Sequence, residues 1–144
     1  MKTMLSTNQS TSIDDRATER ATKDFLMSYQ QWRFQLNKAI LLLQQPQLDD
    51  RSLVQWRYQH ALKECHLREQ PLQMLGKLGP HEAFAADLLK TRFLKRWSTS
   101  KTSQFLARKY DLGYLADRTF FRDQKQALWK FAGVCPQNLL VKKL

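Results

Sequence analysis

The chain has 144 residues, 42% hydrophobic and 11% aromatic. That is too apolar for a wholly disordered protein and enough for one domain or two small ones. The formal net charge of +11 is unevenly spread: residues 1–79 hold 11 Lys/Arg against 8 Asp/Glu, whereas residues 80–144 hold 13 against 5, a net of +8. Such a field favours a polyanion, because cations that neutralise phosphates release condensed counterions. No run approaches the roughly 18 apolar residues of a membrane-spanning helix, and Met1–Asp15 lacks the apolar core of a signal peptide. A cytoplasmic protein without a membrane partner is expected.

Only four Gly and four Pro interrupt long stretches at helical period, which predicts an all-α fold. Residues 1–13 are polar and read as a flexible tail. From Asp14 to Gln45 the pattern predicts one long helix, with Phe25, Tyr29, Trp32, Leu36, Ile40 and Leu43 as its buried stripe and Leu26, Phe34, Leu41 and Leu42 widening it. Pro46 and Asp49-Asp50 mark a turn. Ser52 is placed to cap a second helix that buries Leu53, Trp56, His60 and Leu67 and that Pro71 stops or kinks. Residues 14–78 therefore read as a helical hairpin with more aromatic surface than it can bury alone. The excess is available for packing on the rest of the chain, for homodimerisation or for a partner contact.

Leu72 to Gly79 reads as the connection to a second unit, residues 79–135. Pro80 suits a first helical turn, and a third helix follows to Trp97, with Phe84, Leu88, Phe93 or Leu94, and Trp97 as core candidates. Ser98-Thr99-Ser100 breaks it. Thr102–Lys109 is a short helix offering Phe105, Leu106 and Ala107, closed by a turn at Asp111-Leu112-Gly113. In Leu115–Ala132, Phe120, Ala127, Leu128 and Phe131 form a buried stripe, while Arg118, Arg122 and Lys125 recur at i, i+4, i+7 opposite it. Asp117 stands where a side-chain cap would start this helix. Residues 136–144 are a tail too short to assign. A short helix, a turn and a second helix with one apolar and one basic face resemble a helix-turn-helix.

Asp117-Arg118-Thr119-Phe120-Phe121-Arg122, then Lys125, Ala127-Leu128 and Phe131-Ala132, resembles the recognition helix of the ArpU family of phage transcriptional regulators. Leu88-Leu89 and Arg92-Phe93-Leu94 resemble the first helix of that family's DNA-binding half, and the likeness spans roughly Ala83 to Ala132. It departs in two places: about three extra residues lie between Ala107 and Thr119, and Ala116 stands where the family tends to place Ser. The resemblance implies a module related to sigma-factor region 4, activation of phage or prophage late genes, and RNA polymerase as a second partner.

Positions early in a recognition helix face base edges in the major groove. Arg118, Thr119, Phe121 and Arg122 are therefore the base-reading candidates, with Arg suited to guanine, Thr to a hydrogen bond or a thymine methyl, and Phe121 either to a thymine methyl or, in another rotation of the helix, to the core. Lys101, Arg108, Lys109, Lys125 and Lys130 are the candidates for backbone phosphates, which give affinity without reading sequence. No glycine-rich phosphate loop, HExxH helix or paired cysteine motif is present. His60, Glu64, Cys65 and His66 lack a second cluster to complete a metal site, and Cys65 and Cys135 read as reduced, partly buried side chains. Neither an enzyme nor a cofactor is expected. The reading is a sequence-specific regulator on double-stranded DNA. Its rivals are a helical protein-interaction adaptor with a basic surface and a DNA-packaging protein of the small-terminase kind.

Overall fold

A computed structural model describes residues 13–144 and is helical, without a strand among them. Of the expected tail, residues 1–12 lie outside the described residues. Helix α1 (Asp15–Met27) starts where the carboxylate of Asp14 accepts from the backbone N–H of Ala17 at 3.0 Å. It ends at Ser28, and α2 (Tyr29–Leu43) follows at once, so the single helix expected over Asp14–Gln45 is divided. The cause is chemical. The Ser28 hydroxyl donates to the carbonyl of Phe25, and Nε of buried Arg68 donates to the same oxygen, drawing it off the helical ladder.

Helix α3 (Arg51–Gly76) runs back along α2, pairing Tyr29 with Glu69 and Trp32 with His60. Its cap is Asp50, which accepts from the N–H of Leu53 at 3.0 Å, and not Ser52. Arg51 closes the turn by donating to the carbonyls of Leu43 and Gln45. The face that α3 buries also differs from expectation. Val54, Ala61, Cys65, Arg68, Leu72 and Leu75 point inward, while Leu53 and Trp56 stand 41% and 63% exposed. Between the two helices the small side chains of Ala61 and Cys65 pack with Leu36, flanked by Tyr29, Trp32 and Tyr58, and Trp56 is left outside.

Pro71 does not end α3; the helix passes through it to Gly76. A proline there cannot donate to the carbonyl four residues back. That carbonyl, of Leu67, is approached instead by the Cys135 thiol at 3.9 Å. Pro71 is itself buried, so packing holds the helix where the local rule predicts a stop. The connection expected over Leu72–Gly79 shrinks to Lys77–Gly79.

Pro80 begins α4 (Pro80–Leu89), which widens into a π turn at Lys90–Leu94. The helix expected to reach Trp97 closes earlier, with Arg96 in the left-handed region at φ 60° and the N–H of Trp97 bonded to the carbonyl of Thr91. Ser98 then caps α5 (Thr99–Lys109) by accepting from Lys101, so the residues expected only to break one helix start the next. Helix α5 ends in a Schellman closure: Leu112 N–H bonds to Ala107, Asp111 N–H to Arg108, and Asp111 takes the left-handed position at φ 54°. Helix α6 spans Asp117–Val134. Ala116 holds its cap position with no side-chain bond, and Asp117, expected as the cap, is instead the first helical residue, where its charge still suits the helix dipole.

One apolar core gathers Leu26 of α1 and Leu72 and Leu75 of α3 with Leu88, Phe93, Leu106, Leu115, Phe120, Leu128 and Phe131. A smaller cluster around Leu36, Ala61 and Cys65 lies between α2 and α3. After α6 the chain returns to α1: Leu139 is buried, Val141 N–H donates to Thr18 Oγ1 at 2.9 Å, and Asp14 N–H donates to the Val141 carbonyl. Helix α1 is thus seated on α6 by Leu26, by Phe25 against Phe131 (ring centroids 6.2 Å apart), and by two fully buried threonines, Thr18 and Thr22.

Candidate nucleic-acid interface

Helix α6 separates its two faces cleanly. Phe120, Ala127, Leu128 and Phe131 are each at most 1% exposed, so the helix cannot turn about its axis without emptying the core. That fixes Arg118, Arg122 and Lys125 outward, and all three are exposed. Arg122 is engaged only loosely, its Nε lying 3.7 Å from the neighbouring Asp123. Phe121, half exposed, rests edge-on against Phe120 and stands between two hollows. Thr119 is half-buried and turns away from the arginines, into a hollow shared with Pro80, His81, Phe84 and Tyr114.

A groove of about 890 Å³ separates α5 from the start of α6, lined by Ser100, Ser103, Gln104 and Arg108 on one side and by Asp117 and Phe121 on the other. Arg108 thus faces Asp117 and Phe121 of α6 across this groove. Lys101, seven residues before Arg108 and so on the same face of α5, lies with its Nζ 4.2 Å from the Trp97 ring. Two further candidates sit elsewhere. Lys109 pairs with Asp87 at 2.8 Å, and Lys130 with Glu82 at 3.3 Å. Glu82 accepts from its own backbone N–H and from Lys130, which holds its carboxyl below the usual glutamate range.

The sequence reading missed a second basic row. Arg16, Arg20 and Lys23 of α1 are exposed and line a cleft of about 470 Å³ whose other wall is Phe121, Gln124, Lys125 and Leu128 of α6. The signal was present, because 16, 20 and 23 repeat the i, i+4, i+7 spacing of 118, 122 and 125. Counting charge on either side of Gly79 averaged these cations with the acids of the same region.

Among the described residues no three of His, Cys, Asp and Glu converge as metal ligands. His60 is held between Trp32 and Trp56, Glu64 pairs with Arg68, and burial pushes the thiols of Cys65 and Cys135 up. No helix among the described residues is long and apolar enough to cross a membrane. Comparison with known proteins returned no matching family model, no curated relative and no similar solved structure.

Proposed function

We propose that this chain binds double-stranded DNA through α6, reading sequence with Arg118, Phe121 and Arg122 while Lys125, Arg108 and Lys101 meet phosphates. In this reading α4, α5 and α6 are a helix-turn-helix module, and α2 with α3 is the hairpin beside it. One observation carries the reading: α6 presents exposed cations at i, i+4, i+7 directly opposite a stripe that is wholly buried. A helix fixed in rotation with a cationic outer face is what insertion into a major groove requires. The order of residues from Asp117 to Ala132, similar to the ArpU recognition helix, supports the finer proposal of a transcriptional regulator acting on phage or prophage late genes.

A labelled duplex titrated at several salt concentrations tests the binding. Wild-type affinity should fall linearly on a log–log plot, and Arg118→Ala should weaken binding at every salt concentration. A chain that fails to hold duplex DNA at low salt would overturn the proposal.

A second reading has its own observation. Phe34, Leu41 and Trp56 stand 67%, 63% and 63% exposed on α2 and α3, which favours a protein contact there, by a second copy or by polymerase. Sizing in solution, with Trp56→Ala beside wild type, separates a dimer that this patch holds from a monomer.

A further inference from the structure

Resting on the DNA-binding reading, we propose that α1 is part of the same interface, with Arg16, Arg20 and Lys23 gripping the phosphates that border the groove α6 enters. Three observations carry this. The first is position. Phe25 meets Phe131 near the ends of both helices, and the Arg16–Lys23 portion of α1 shares its cleft with Phe121, Gln124 and Lys125. The basic part of α1 therefore lies beside the first half of α6, where Arg118 and Arg122 are. Packed helices stand about 8–10 Å apart, whereas the major groove is about 12 Å wide. A helix flanking one that occupies the groove must therefore lie over its edge, where the phosphates are.

The second observation is charge. The cleft is lined by Arg16, Arg20, Lys23 and Lys125 against one carboxylate, Glu19. Among the described residues none of these four cations is in an ion pair, in contrast to Lys109 and Lys130, which are. The third is rigidity. Thr18, Thr22 and Leu26 are fully buried, and the Asp14 cap and the bond from Val141 to Thr18 tie down the start of α1. The three cations are therefore carried on a platform fixed relative to α6, and they gain phosphate contacts without first ordering a segment of chain.

The test compares full-length wild type with a cleft variant, Arg16→Gln/Arg20→Gln/Lys23→Gln, and with an equal-charge control on α2 and α3, Lys38→Gln/Arg57→Gln/Lys63→Gln. Each is titrated against a random-sequence labelled duplex over a series of salt concentrations. All six residues are exposed, so glutamine leaves the packing in place, and matching melting curves check this. Each phosphate contact contributes about 0.9 to the log–log salt slope. The cleft variant should flatten the slope by roughly two to three, and the control should leave it at the wild-type value. A cleft variant indistinguishable from the control would overturn the inference while leaving DNA binding by α6 standing. A wild-type chain that does not bind overturns both.

Discussion

Replacing Arg68 by Met should unfold this protein more readily than any surface change, because its guanidinium is buried and makes five hydrogen bonds. The residue is 4% exposed. Its Nε donates to the Phe25 carbonyl at 2.8 Å and to Ser28 Oγ, Nη2 donates to Ser28 Oγ, and Nη1 donates to the carbonyl and carboxylate of Glu64 at 2.7 and 2.9 Å. The group also lies 3.9 Å over the Phe25 ring. Methionine fills much of the same volume over that ring but leaves Glu64 without its cation and the Phe25 carbonyl with one donor fewer. Removing one partner of a buried ion pair costs about 3–5 kcal/mol. Glu64 keeps 21% of its side chain in solvent, which places the loss at the low end, about 3 kcal/mol. An unfolding entropy of roughly 0.3 kcal/mol/K for this length turns that into a fall in Tm of about 10 °C. Arg68→Lys keeps the charge but not the fork and should lose about 1.5–3 kcal/mol, the worth of a hydrogen bond to a charged group. Urea unfolding followed by tryptophan fluorescence reads both variants. A loss under about 1 kcal/mol for Arg68→Met would refute the claim that this guanidinium holds the corner between α1 and α2.

Three further outcomes are expected. Phe131→Ala removes a fully buried ring from the shared core and should cost about 3–5 kcal/mol by urea unfolding. Asp111→Gly relieves a left-handed residue at the end of α5 and should stabilise by about 0.5–1 kcal/mol, seen as a raised Tm. Burial, then hydrogen bonding to Glu69 and Asp87 respectively, pushes the phenols of Tyr29 and Tyr110 well above the ordinary value of 10.0. Folding thus favours their protonated forms, so stability is full below pH 10 and declines above it, as the unfolded phenols ionise first. The double variant Tyr29→Phe/Tyr110→Phe should show a shallower alkaline decline in pH-dependent melting.

The parts of the fold that the sequence revealed are those where large apolar residues decide burial. Phe120, Leu128 and Phe131 are all buried at the spacing that predicts them, and so are Leu88, Phe93 and Leu106. Legibility failed where small or polar residues decide it. Leu53, Trp56 and His60 are more conspicuous in α3 than Val54, Ala61 and Cys65, but the latter are the ones α3 buries. The seat of α1 on α6 is built with Thr18 and Thr22, whose hydroxyls both have partners: Thr22 donates to the Thr18 carbonyl one turn back, and Thr18 accepts from Val141 near the other end of the chain. No hydrophobic period marks such residues. Pro71 and Ser28 show the same limit, since a partner distant in sequence, Cys135 in one case and Arg68 in the other, overrides or enforces the local rule.

The candidate interface was legible in part for a related reason. Arg118, Arg122 and Lys125 belong to one helix, so their spacing alone places them on one face. Separating Lys109 and Lys130 from them required the positions of Asp87 and Glu82, and adding Arg16, Arg20 and Lys23 required knowing that α1 packs beside α6.

Selection of bound sequences from random duplex DNA, with wild type beside Arg118→Ala, decides whether α6 reads sequence. Wild type should enrich one motif, and Arg118→Ala should relax it at a single base position, at a cost of about 1–3 kcal/mol. Enrichment of no motif, or of one that Arg118→Ala leaves unchanged, would contradict sequence reading by α6.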